Sequence, residues 1–175
     1  MKQKKIDFYE KNLDRVNYWL QFAEAKNAAI IAFVVAALAV FFSLNNIIIV
    51  AIITPLYIIG LVLSVMSLKP KGNMNANEKI GEYKSCDNSL YWKDIAKYSK
   101  IDYVKKINKE FFINNQEESE VELMFAEEII TNARIAQFKY EKVSLAINFL
   151  IIGSCFIPIA LIYEVYRILC KLPIK

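Results

Sequence analysis

Three short stretches of this chain combine cationic, amide and aromatic side chains, a combination that could hold a small phosphate-bearing ligand. A guanidinium offers a planar fork that suits a phosphate group, and an aromatic ring can stack on a nucleobase. The candidate ligand-binding residues in these stretches are Lys26, Asn27, Asp94, Lys97, Tyr98, Asn132, Arg134 and Lys139. Their residue types predict contacts to one phosphate charge and one flat base.

Each stretch also has an interpretation that needs no ligand. Trp19 and Lys26 border an apolar run, where such residues commonly anchor a helix at a membrane interface. The aromatics from Tyr91 to Tyr98 could pack an amphipathic helix onto its neighbours. The cations around Arg134 could orient the protein in a membrane. The ligand-free interpretation is favoured for the first and third stretches, whereas composition does not separate the two interpretations for the second.

Enzymatic chemistry finds little support in the sequence. The chain holds no histidine, so the commonest general base and metal ligand is missing. Its three cysteines, Cys86, Cys155 and Cys170, lack the spacing of a metal site, and its four glycines form no phosphate-binding loop. We therefore expect no enzymatic activity, no catalytic residues, no bound metal and no cofactor.

Three long apolar runs make up much of the chain around these stretches. A transmembrane helix needs about 20 apolar residues, and a helix satisfies its own backbone in lipid. Residues 28–44 and 47–68 are two such runs separated by two asparagines, which predicts a transmembrane hairpin. Residues 143–163 form a third run that contains Pro158, and we predict a third span there, with an interfacial helix as the alternative. A mean hydropathy of +0.29 agrees with a membrane protein.

The predicted fold class is an all-α membrane protein, with a transmembrane helical hairpin, a third transmembrane helix and a small cytoplasmic helical region. The predicted segments are a cytoplasmic amphipathic helix (1–27), the hairpin (28–68), a cytoplasmic helical segment (69–142), the third transmembrane helix (143–163) and a basic tail (164–175). Lysine and arginine flank the open end of the hairpin and are missing from its tip, which places the N-terminus and 69–142 in the cytoplasm. The basic tail fits this orientation only if the third run turns back near Pro158; otherwise the tail lies outside.

Apolar periodicity predicts one continuous helix from about residue 8 to 44 and another from about 120 to 165. Ser119 and Glu122 form a capping-box pattern at the start of the second helix. Between the two we predict a linker over 69–89 and short helices over 90–98 and 101–112.

Three motifs occur in a fixed order around the predicted spans. They are Trp19…Phe22-Ala23-Glu24-Ala25-Lys26-Asn27-Ala28, Asp94-Ile95-Ala96-Lys97-Tyr98-Ser99 and Ile129-Ile130-Thr131-Asn132-Ala133-Arg134-Ile135-Ala136…Lys139. Together they resemble the small transmembrane effectors of the Pycsar anti-phage systems. The resemblance covers nearly the whole chain, and the order of the motifs carries it rather than any one of them.

The resemblance implies an anti-phage effector of the bacterial inner membrane, activated by a cyclic pyrimidine nucleotide, either cyclic CMP or cyclic UMP, that a partner cyclase makes during infection. It also implies that the effector impairs the membrane and causes abortive infection. The expected partners are the lipid bilayer and the cyclic nucleotide, with no nucleic acid polymer. An alanine face in the first span is expected to pack within or between subunits, and a homo-oligomer is expected. The alternatives are a structural or partner-binding small membrane protein, and a membrane toxin that no nucleotide gates.

Overall fold

The protein is almost entirely helical. The computed structural model describes residues 2–44, 46–69, 74–82, 84, 86–112 and 119–171, and helices make up 83% of them, with no β-strand among them. In chain order the helices are α1 (Lys2–Ser43), a π-helix (Ile49–Ile53) that leads into α2 (Thr54–Leu68), α3 (Trp92–Ile95), α4 (Lys100–Phe111), α5 (Glu120–Cys155) and α6 (Ile157–Lys171). The segments long and apolar enough to cross a membrane are Gln3–Ser43, Ile49–Leu68 and Glu120–Cys170. The predicted all-α membrane fold is confirmed.

The chain divides into two compact units. The polar unit comprises Met1–Glu24 and Pro70–Tyr140, and the spanning unit comprises Ala25–Lys69 and Glu141–Lys175. Helices α1 and α5 each contribute residues to both units, because α1 continues through the boundary at residues 24–25 and α5 through the boundary at residues 140–141.

The polar unit is built around one apolar core. Helix α1 turns an apolar residue inward at helical spacing, so Tyr9 and Val16 are fully buried. Helix α5 buries Ile129 and Ala133 in the same core, and α4 adds Ile107. Burial of each large apolar side chain contributes about 1.5–3 kcal/mol. The apolar stripes that the sequence predicts on the two long helices therefore form this core.

The short helices differ in length from their predictions. Helix α3 is a single turn, shorter than the predicted 90–98, because the amides of Lys97 and Tyr98 bond three residues back and tighten the chain into a turn. Helix α4 agrees closely with the predicted 101–112, and the hydroxyl of Ser99 caps it by accepting the amide of Asp102 at 3.2 Å. The described parts of the predicted linker are not helical, and residues 70–73, 83 and 85 lie outside the described residues.

Helix α5 begins at Glu120, as the sequence predicts, but its capping and its end differ from the prediction. The Ser119 hydroxyl accepts the Glu122 amide at 3.3 Å, which is half of the predicted capping box, but the Glu122 carboxylate binds Lys5 at 3.2 Å. The predicted single helix from 120 to 165 is wrong, since Phe156 is a turn residue between α5 and α6. Pro158 explains this break, because it has no amide hydrogen and its ring collides with the carbonyl four residues earlier. Of the predicted basic tail, residues 172–175 lie outside the described residues.

The second arm of the hairpin begins with an irregular turn. The Asn46 side-chain oxygen accepts the amides of Ile48 and Ile49 at 3.0 and 3.3 Å, and so caps the arm, while Asn45 lies outside the described residues. The amide and the hydroxyl of Thr54 both bond to the carbonyl of Ile49, five residues earlier, which is the π-helical pattern. Pro55 follows directly, and its missing amide accounts for the widened register.

Small residues bring α2 and α5 close together in the spanning unit. A Cβ atom placed on Gly60 would lie 3.0 Å from the side chain of Leu150, and one on Gly153 would lie 3.0 Å from Tyr57. The Tyr57 hydroxyl is 2.8 Å from that of Ser154, which satisfies both. Glycine at such contacts is typical of helix packing in lipid.

Candidate ligand-binding site

Arg134 is buried in the polar unit and acts as a clamp on the chain that precedes α4. Its guanidinium donates to the main-chain carbonyls of Ala96 at 2.9 Å, Glu78 at 2.6 Å and Tyr98 at 2.8 Å, and also to that of Asn75. All three of its nitrogens therefore bind carbonyl oxygens of this protein. The arrangement fastens two separate pieces of irregular chain to helix α5, and it uses the fork that the sequence suggested for a phosphate.

Lys97 lies between two carboxylates. Its amine is 2.7 Å from Asp94 and 2.9 Å from Asp87. These two hydrogen bonds, that to Asp94 first, raise the pKa of Lys97. The pKa of Asp87 is lowered, first by the backbone amide of Lys84 and then by Lys97. The structure thus brings the predicted Asp94 and Lys97 together as an ion pair within the polar unit.

The other predicted residues of α5 are paired across the polar unit. The Asn132 amide donates to the Asn17 side chain at 2.9 Å, and the Lys139 amine binds the Glu24 carboxylate. Lys139 is largely buried, whereas half of Glu24 is exposed. Both contacts join α5 to α1, so they serve the packing of the two long helices.

Lys26 and Asn27 belong to the spanning unit. Lys26 is exposed, while Asn27 is buried and donates its amide to the carbonyl of Ser64 at 2.8 Å. The side-chain oxygen of Asn27 and the hydroxyls of Ser64 and Ser67 are buried without a hydrogen-bond partner. This polar cluster joins α1 to α2 inside the unit that contains the apolar runs.

Tyr98 is the one predicted residue that lines a large groove of the polar unit. The groove, called here the lysine groove, has a volume of about 500 Å³ and is lined by Lys84, Lys105, Lys106 and Lys109, by Asp102 and Glu110, and by Tyr98. Burial raises the pKa of Tyr98, and the nearby Lys106 opposes that rise. The Lys106 amine lies over the Tyr98 ring, 5.7 Å from its centroid, so the amine covers one face of the ring.

This chain matches a known protein family. The family described as Pycsar effector protein domain matches residues 8–164, which covers most of both units, all eight predicted site residues and the lysine groove. The chain belongs to this family. No curated protein and no solved structure shows a significant match. The protein is therefore an anti-phage defence effector with a membrane setting, and the family implies a cyclic nucleotide signal.

Sequence reasoning did not select the groove lysines of this Pycsar effector. Lys105 and Lys109 are four residues apart on α4 and therefore share a face. That spacing was the available signal, but an exposed lysine pair is also typical of any solvated helix. Among the described residues, no group of three or more histidine, cysteine, aspartate or glutamate side chains could hold a metal ion.

Proposed function

We propose that this effector responds to a cyclic pyrimidine nucleotide, cyclic CMP or cyclic UMP, by impairing the inner membrane, so that infection is abortive. The observation that carries the proposal is the family match over residues 8–164, in a chain with three helices able to cross a membrane. We infer no enzymatic step, since a change of helix packing suffices for this response.

Helix continuity supports a link between ligand and membrane. Helices α1 and α5 each belong to both units and have no break at residues 24–25 or 140–141. A ligand that binds one packing of the polar unit better than another shifts the population toward that packing. A rigid helix carries such a shift from its polar part to its apolar part.

Dye release from liposomes tests the response. The full-length protein is reconstituted and exposed to cyclic CMP, cyclic UMP or, as a control, cyclic AMP. We expect release with one pyrimidine nucleotide and little with cyclic AMP or without nucleotide. Equal release in all conditions would instead identify an ungated toxin, and no release in any condition would refute membrane impairment by these ligands.

We further propose that the N-terminus and the polar unit lie in the cytoplasm, where the nucleotide is made. The lysines and arginines beside the hairpin's open end support this orientation. Asn77 is exposed and offers a labelling position. In a background that lacks the three native cysteines, Asn77→Cys should resist a membrane-impermeant thiol reagent in intact cells and react after lysis. Labelling in intact cells would overturn the orientation.

A homo-oligomer is proposed from the alanine face of α1. Ala29, Ala32, Ala36 and Ala39 are all exposed on the spanning part of the helix, where small residues allow close helix approach in lipid. Ala36→Leu should weaken the detergent-stable assembly measured by light scattering. Ile31→Leu, on a different face of α1 and with no change in side-chain size, is the control. An assembly that both variants leave unchanged would argue against this interface.

A further inference from the structure

We propose that the lysine groove binds a small phosphate-bearing anion, which under the function proposed above is the activating cyclic nucleotide held by its phosphate. The inference rests on that function and adds a location to it. It also moves the phosphate contact away from the cations that the sequence had suggested.

The groove has an excess of cations. Lys105 and Lys109 project from one face of α4, and Lys84 comes from the preceding chain. Among the described residues, no carboxylate lies within ion-pair distance of the side-chain amines of these three lysines. Three like charges around one concavity repel one another, and an anion relieves that repulsion.

The two acidic residues of the groove are already engaged. Asp102 accepts the Ser99 hydroxyl at 2.8 Å. Glu110 binds Lys106 at 2.9 Å and accepts the Ser89 hydroxyl at 2.6 Å. Glu110 and Lys106 cancel each other's charge and Asp102 offsets one further lysine, so the four lysines and two carboxylates of the groove leave a net charge of +2 for a ligand.

Size and attachment also fit this role. A volume of about 500 Å³ lies within the range of small-molecule sites. The groove contacts Tyr98, whose carbonyl accepts Arg134 at 2.8 Å. Arg134 belongs to α5, so a ligand that displaces Tyr98 also pulls on that helix. Arg134 is thus a positioning residue that links the groove to α5.

The competing cations are occupied. Arg134 binds four carbonyls, Lys97 binds two carboxylates and Lys139 binds Glu24. A phosphate at any of them would have to displace a contact that the fold uses. At Lys84, Lys105 and Lys109 a phosphate would break no ion pair among the described residues.

A second groove provides a matched control. It measures about 400 Å³ and contains two exposed lysines, Lys4 and Lys11, beside three phenylalanine rings. Asp7 lies between these lysines on the same face of α1 and offsets their charge. The double variants Lys105→Gln/Lys109→Gln and Lys4→Gln/Lys11→Gln therefore remove the same net charge from two different grooves.

Calorimetric titration of the full-length protein with cyclic CMP and cyclic UMP tests the location. The first double variant removes two charged hydrogen bonds, so we expect Lys105→Gln/Lys109→Gln to weaken binding by at least about 100-fold and Lys4→Gln/Lys11→Gln to leave it nearly unchanged. Unchanged binding in the first variant, or equal losses in both, overturns the groove while the proposed function stands. A loss in the second variant alone does the same.

A parent protein that binds neither nucleotide refutes the proposed function, and lysine acetylation then decides the groove separately. Inorganic pyrophosphate should slow acetylation of Lys105 and Lys109 relative to the exposed Lys93, as measured by mass spectrometry. Protection supports a phosphate site independent of the proposed ligand. Equal acetylation with and without pyrophosphate overturns the site.

Discussion

The two units differ in the kind of polar group that they bury. In the polar unit, buried charges are satisfied: Arg134 by four carbonyls, and Lys5 by the Glu122 carboxylate at 3.2 Å. In the spanning unit, the Asn27 oxygen and the hydroxyls of Ser64 and Ser67 are buried without partners. The Asn108 oxygen of the polar unit is also buried without a partner and, like those three groups, it is uncharged. The difference between the units is therefore one of charge. Paired charges fix the packing of the polar unit, whereas the buried polar groups described in the spanning unit are neutral, some with partners, such as Asn46 and Thr54, and some without.

The largest expected effect concerns the buried ion pair of the polar unit. Glu122→Gln leaves the Lys5 charge buried without its counter-ion, which should destabilise the protein by about 3–5 kcal/mol. Thermal unfolding in detergent, followed by tryptophan fluorescence, measures the loss. Glu127→Gln is the control, because Glu127 is half exposed in its pair with Lys100 and should matter by less than about 1 kcal/mol.

A double variant sharpens this result. Lys5→Met/Glu122→Met removes both charges together and should be more stable than Glu122→Gln alone. Equal unfolding temperatures for Glu122→Gln and Glu127→Gln would show that the buried pair does not hold the polar unit together.

Arg134→Lys should have the next largest effect. Lysine is a point-charge donor and cannot reproduce a fork that reaches four carbonyls, so several buried acceptors lose their partners. We expect a loss of about 2–3 kcal/mol and faster proteolysis in the segment around Asn75 and Glu78. Arg15→Lys is the control, because Arg15 is exposed on α1 of the same unit. Nearly equal stability of the two variants would mean that the clamp is dispensable.

Substitutions in the spanning unit should stabilise the protein rather than destabilise it, and their effect should be the smallest of those predicted here. Ser64→Ala and Ser67→Ala each remove a buried hydroxyl that has no partner, so each should stabilise the resting packing, by up to about 1 kcal/mol. Ser144→Ala is the control, because Ser144 is exposed on α5. Chemical unfolding in detergent measures the difference. Destabilisation by Ser64→Ala would break the contrast between the units.

The sequence predicted three helices long and apolar enough to span a membrane, because lipid imposes a simple rule on length and polarity. It also predicted α1, because the apolar spacing from Tyr9 to Val16 continues without a breaker. Pro158 explains the turn at Phe156. An unbroken helix was nevertheless predicted there, because the apolar run around Pro158 is long enough to span a membrane. To predict the π-helix one would have to know which carbonyl Thr54 bonds to, and the spacing of apolar residues does not contain that information.

The candidate site was harder to predict, because a side chain's type does not reveal its partner. Arg134 suits a phosphate, but a guanidinium binds backbone carbonyls equally well, and only the fold brought Asn75 and Ala96 within its reach. Lys105 and Lys109 looked like an ordinary solvated pair until the fold placed them beside Tyr98. Whether any of these residues binds the ligand stays a prediction.

Asn46 has a consequence for membrane voltage. Its amide donates to the carbonyl of Ala160 at 3.0 Å, which sets this part of α6 at the level of the hairpin tip. Under the proposed topology the tip faces the periplasm, and Arg167 comes about two turns of α6 after Ala160. In an energised cell the membrane potential is negative inside. Moving one positive charge inward across the membrane is therefore favourable by about 2.3 kcal/mol for each 100 mV. Arg167 is ion-paired with Glu164, so the pair carries almost no net charge and shields this end of α6 from the membrane voltage.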